Sequence, residues 1–241
     1  MNRPGFTAIY LHQGRKEQAR REAEAALKLN PADIDARHWL AMTCSYSGDI
    51  ATARTLEMEN VVHSGRFFPS RMHLADLARQ EGNWEAAVRE LERVLEYDSQ
   101  NHFVLQLLAQ IYLHVGNLPK ARRTLDAARP RDKQTFRMRA VEALLLALEG
   151  KRNEASKAMD SGLIAYLELN PLMTLMGAEF YALTGDSSQA LYWMERAVRN
   201  GDERATWFAC DPALTTLRQD LKFRQIISSV TGGRHQVNAQ R

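Results

Sequence analysis

Four histidines, His38, His73, His102 and His114, are the side chains of this 241-residue chain best suited to bind a metal or move a proton near neutral pH. Their spacing does not support either role. There is no HExxH helix, no CxxC pair and no glycine-rich phosphate loop after a strand, and no Ser-His-Asp or Cys-His set stands out. The two cysteines, Cys44 and Cys210, lie far apart, and Cys44 reads as a small buried hydrophobe rather than a redox centre. The sequence therefore predicts no enzymatic activity, no cofactor and no metal.

The sharpest charge cluster is Lys120, Arg122, Arg123, Arg129, Arg131, Lys133, Arg137 and Arg139, opposed by Asp126 and Asp132. It offers phosphate contacts to a polyanion or nucleic acid. An acidic stretch from Glu81 to Asp98 offsets it, and the net charge is only +3. Nucleic-acid binding is the alternative reading, not the expected one.

The elements that must position these side chains are set by a repeat. Glycine recurs at Gly14, Gly48, Gly82, Gly116, Gly150 and Gly185, a step of 34 residues that lengthens once to 35. Ala19, Ala53, Ala87, Ala121, Ala155 and Ala190 keep the same step, and Ala41, Ala75, Ala109, Ala143 and Ala178 each lie seven residues before a glycine. A period near 34 is that of stacked helix-turn-helix units. Each glycine closes a helix A in the left-handed conformation, and the two alanine columns let helices A and B approach closely. Leu91, Leu125, Met159 and Met194 supply core positions on helix B.

Leu40-Ala41, Leu74-Ala75 and Leu108-Ala109-Gln110-Ile111-Tyr112, with Tyr10 and Tyr181 in the tyrosine column and Asn30-Pro31 at a unit end, resemble the tetratricopeptide repeat (TPR) family. Glu142 and Gly177 depart from its leucine column. The resemblance implies an all-α, right-handed superhelical solenoid. Six repeats are expected at 1–33, 34–67, 68–101, 102–135, 136–170 and 171–200, with capping helices over 201–230 and a disordered tail over 231–241. It also implies a non-catalytic scaffold or adaptor that holds a partner peptide or helix on its concave face. The helix A positions that form this face in the family are here His38, Met42 and Tyr46; Met72, Asp76 and Arg79; Phe103, Gln106, Gln110 and His114; Arg137 and Leu144; and Leu175 and Glu179. They describe a groove that turns from mixed polar to apolar along its length. The Lys/Asn/Arg clamp that co-chaperone members use for a chaperone tail is not present at these positions.

Other expectations are local. The segment Asn153 to Leu169 can form a helix about one turn longer than its counterparts, absorbing the 35-residue step. One of Phe67 and Phe68 should staple a repeat junction. The closing wording, Ala190 to Val198 followed by Asp211-Pro212, resembles bacterial members of the family. No apolar run approaches the ~20 residues of a membrane span, and no leader is legible at the start, so a cytoplasmic bacterial protein is expected. The apolar groove also makes a homo-oligomer a candidate assembly.

Overall fold

The computed structural model describes residues 3–128 and 135–238, all of its regular structure helical. Six antiparallel hairpins follow in order: α1 (Arg3–His12) with α2 (Lys16–Leu29), α3 (Ile34–Tyr46) with α4 (Ile50–His63), α5 (Phe68–Gln80) with α6 (Trp84–Leu95), α7 (His102–His114) with α8 (Leu118–Ala127), α9 (Phe136–Leu148) with α10 (Arg152–Ala158) and α11 (Ser161–Leu169), and α12 (Leu175–Thr184) with α13 (Ser187–Arg199). After them come α14 (Ala205–Cys210), a 3-10 turn Pro212–Leu217 and α15 (Leu221–Asn238). Among the described residues no helix is long and apolar enough to cross a membrane.

Each turn is encoded by two residues. The glycine column has φ between 71° and 90° at every one of its six positions, the region L side chains avoid. In four units the next residue, Asp49, Asn83, Asn117 or Asp186, caps helix B by accepting from the backbone N–H three positions on. Each such cap stabilises its helix by about 1 kcal/mol. The alanines of both columns are buried, so the helices of a hairpin meet over methyl groups.

Departures from the repeat have local causes. A Cβ on Gly177 would stand 2.4 Å from the ring of Trp193, so α12 gives up its leucine to admit the indole of α13. Glu142, the other departure, faces Arg122 at 3.6 Å. The fifth unit does not make one long helix. It breaks after Met159, because Asp160 turns its carboxylate onto the N–H of Leu163 and starts a second helix. Phe67 and Phe68 are both half-buried and point apart, Phe67 to the ring of His38 (5.8 Å) and Phe68 to that of Tyr97 (6.1 Å).

The two ends of the solenoid meet. Lys16 pairs with Glu203 at 2.5 Å, the Glu203 N–H donates to the Tyr46 carbonyl at 3.1 Å, and the Tyr46 hydroxyl donates to the Leu172 carbonyl at 3.4 Å. Gly14 and Gly201, both at positive φ, form the seam; a Cβ on Gly14 would lie 2.4 Å from the Asn200 carbonyl oxygen. α15 packs on α13 and covers the end of the stack. It continues to Asn238, so residues 231–238 are helical where the composition reads as a disordered tail; residues 239–241 lie outside the described ones. Once the first half of a helix is docked, each further residue adds a hydrogen bond without a new nucleation cost.

Candidate binding groove

Helices α3, α5, α7, α9 and α12 line the concave side, and the chain places its own residues 202–211 across it. Arg204 is held by Asp202 through two hydrogen bonds of 2.8 and 2.6 Å, lies 4.3 Å over the ring of Tyr46 and faces Asp76 at 3.9 Å. Trp207, 1% exposed, lies under the Arg79 guanidinium at 4.1 Å and against the rings of His114 (5.4 Å) and Trp84 (6.2 Å). Asp76 accepts from Arg79 at 2.7 and 3.0 Å and from Gln80 at 2.8 Å. Burial alone would raise the Asp76 pKa, but Arg79 and Arg204 hold it well below the usual carboxylate range. The polar face predicted for α5 thus receives an internal segment.

Beside that segment a cavity of about 510 Å³ remains. Of the residues read from the sequence as groove positions, His38, Met42, Tyr46, Met72, Asp76, Arg79, Phe103, Gln106, Gln110, Arg137, Leu175 and Glu179 line it. Leu144 and His114 do not. Leu144 is completely buried because α9 is covered by both α7 and α12, and His114 is sealed beneath Trp207. Besides the expected Leu175, the apolar wall comes from Trp39, Met42, Met72, Phe103, Leu107 and Leu172, with Phe136 stacked on Tyr166 at 4.4 Å. Gln106 accepts from the Thr135 hydroxyl at 3.0 Å.

Arg137 is the unusual charge in the cavity. Its guanidinium lies 5.3 Å over the ring of Phe103, and no carboxylate among the described residues is within ion-pair distance. Burial pulls its pKa down. Among the described residues, other members of the basic segment make separate contacts. Arg122 pairs with Glu149 at 2.8 Å, Arg139 with Asp160 at 2.5 Å, and Lys120 lies over Tyr112 at 4.3 Å. Arg129, Arg131 and Lys133 lie outside the described residues.

Two histidine–carboxylate clusters flank the groove, neither legible from spacing. In the first, Glu57 of α4 is completely buried and accepts from Nδ1 of His38 (2.7 Å) and of His73 (2.6 Å). Burial opposes its ionisation, yet those two hydrogen bonds hold it at about 2. In the second, His114, Glu179 and Asp211 are buried together, with one ligand atom of each within 4.8 Å of the others. Burial, then the neighbouring Glu179, pushes Asp211 up to about 8; burial also raises Glu179 and lowers His114 to about 4.

A tetratricopeptide repeat family model matches residues 78–145 and a second matches residues 8–33. A curated relative, cellulose synthase 1 operon protein C of Komagataeibacter xylinus, is 29% identical over 138 residues, 52% of this chain. The chain spans about 10% of that relative's length. Among solved structures, pilF of Pseudomonas aeruginosa superposes with a TM-score of 0.54 at 16% identity, covering 94% of this chain and 96% of its own. A tetratricopeptide repeat protein from Parabacteroides merdae gives 0.52 at 15% identity (95% and 90%), and a thermophilic TPR protein of Thermus thermophilus gives 0.51 at 20% (95% and 97%). At these identities the likeness concerns the fold.

Proposed function

The chain belongs to the tetratricopeptide repeat family, and from that premise we propose that it is a non-catalytic scaffold holding a short acidic-aromatic segment of a partner protein in the cavity beside its own Arg204–Trp207 stretch. Solenoids of this family are protein-interaction scaffolds, and their concave face is the extended surface. We read the chain as a cytoplasmic bacterial protein.

The observation that carries this reading is Arg137. The Arg137 guanidinium is half-buried, with no carboxylate of the described residues paired to it, and a partner's carboxylate would satisfy it with charge-assisted hydrogen bonds. Around it, Met42, Met72 and Phe103 form an adaptable apolar wall that suits an aromatic or aliphatic side chain. The internal segment supports the same idea, since Arg204 and Trp207 lie on this face as a basic and an aromatic anchor. The remaining cavity has the complementary need, a negative charge next to an apolar group.

Peptide display against the purified chain tests this. Short peptides with an acidic residue near an aromatic one should be enriched, and Arg137→Ala should weaken the best of them by about 10- to 100-fold, that is ~1.5–3 kcal/mol, with the melting temperature preserved. Joint replacement of Gln106 and Gln110 by alanine should weaken binding less. Enrichment unaffected by Arg137→Ala would remove the cavity from the function. Binding only to nucleic acid, lost at high salt, would move it to the basic segment.

A further inference from the structure

His114, Glu179 and Asp211 come from three separate parts of the chain: the last turn of α7, the middle of α12 and the junction after α14. Their side chains are 0%, 2% and 0% exposed. His114 Nε2 lies 3.9 Å from Glu179 Oε2 and 4.0 Å from Asp211 Oδ1. Both ring nitrogens of His114, Glu179 Oε2 and Asp211 Oδ2 are buried without a hydrogen-bond partner. Buried polar atoms rarely stay unsatisfied, and several together at one point need a common explanation. Asp211 Oδ1 accepts from the Ala213 N–H at 2.9 Å, and the Asp211 and Glu179 carboxyl groups lie in hydrogen-bonding contact with each other.

We infer that His114, Glu179 and Asp211 form a binding site for a divalent transition-metal ion of the zinc type. The donor set is one imidazole and two carboxylates, which suits such an ion. Two carboxylates and a neutral imidazole bring a divalent cation to zero net charge, which lets the ion stay at a buried position beside the Arg79 guanidinium. The distances leave room for an ion. A tetrahedral site with bonds of about 2.0–2.1 Å has ligand atoms about 3.3 Å apart, so each side chain here closes in by a few tenths of an ångström. Glu179 also lines the cavity, which gives access and a position for a water as further ligand.

The other histidine–carboxylate group does not meet these conditions. Glu57 Oε1 stands 2.7 and 2.6 Å from the two imidazole nitrogens, closer than two ligands of one ion can be, because a proton already fills each gap. The ion has a mechanical consequence as well. Asp211 belongs to the segment that crosses the groove, so metal binding staples residues 202–211 to α7 and α12.

The test uses the full chain stripped of metal with a chelator and titrated with Zn²⁺ by calorimetry and with Co²⁺ by visible absorption. One equivalent should bind, cobalt should give the bands of a low-symmetry nitrogen–oxygen site, and Co²⁺ should quench Trp207, whose ring is 5.4 Å from that of His114. Glu179→Gln and Asp211→Asn each keep the shape of the side chain and should lower affinity by more than the ~10–100-fold that outer-shell partners cost. His63→Gln, at the exposed end of α4, should leave affinity unchanged. If a variant fails to fold, the stoichiometry and Trp207 quenching of the unaltered chain decide. Absence of saturable binding at millimolar metal, or binding that survives both carboxylate variants, overturns the assignment.

Discussion

The two histidine–carboxylate clusters are built from the same residue types and behave oppositely. Around Glu57, two imidazole N–H donors converge on one acceptor, and the carboxylate further accepts from Asn60 at 3.5 Å while Arg37 donates to the Asn60 amide at 2.9 Å. Around His114, two carboxylates face one imidazole and orphan oxygens and nitrogens remain. Both clusters are buried apart from His38, which is partly exposed. What differs is the ratio of donors to acceptors, which makes the first cluster a brace between α3, α4 and α5 that leaves only the Nε2 of His73 without a partner, while the second leaves four such atoms.

The largest effect should come from breaking the brace. Glu57→Ala leaves two buried imidazoles without their acceptor and should cost about 3–5 kcal/mol in urea unfolding. The same carboxylate predicts a pH limb. Its pKa is depressed from 4.5 to about 2 in the folded chain, so its contribution is complete above the unfolded value and is lost as pH falls from about 4.5 through about 2. Stability measured over that range should decline, and the decline should be shallower in Glu57→Gln; equal slopes would show that other carboxylates govern acid unfolding. The smallest effect has the opposite sign. Without metal, Asp211→Asn puts an amide donor opposite Glu179 and should leave stability unchanged or raise it by up to ~1 kcal/mol. A loss of several kcal/mol would mean that the second cluster is satisfied as it stands, and the contrast between the two would collapse.

The hairpins were legible because each is encoded locally. Gly48-Asp49 or Gly116-Asn117 ends one helix and starts the next within two residues, and the alanine columns mark where those helices touch. Met42, Asp76 and Phe103, at positions the family resemblance assigns to the concave face, line the cavity. Leu144, at such a position too, is buried because that face of α9 is covered by α7 and α12. The exchange between Gly177 and Trp193 was invisible for a similar reason, since each residue makes sense only against the other. The break at Met159 did have a sequence signal, the Asp160-Ser161-Gly162 start of a new helix.

The sequence by itself determined the unit, its number and its stacking, because a repeat of 34 residues writes the same short-range packing into every hairpin. Whether the stack closes depends on the sum of small rotations between successive units, and no column of residues records that sum. Closure places Gly201 against Gly14, Arg204 over Tyr46 and Trp207 under Arg79. It also brings Asp211 to His114 and Glu179. That site, and the cavity around Arg137, were decided by the tertiary structure alone.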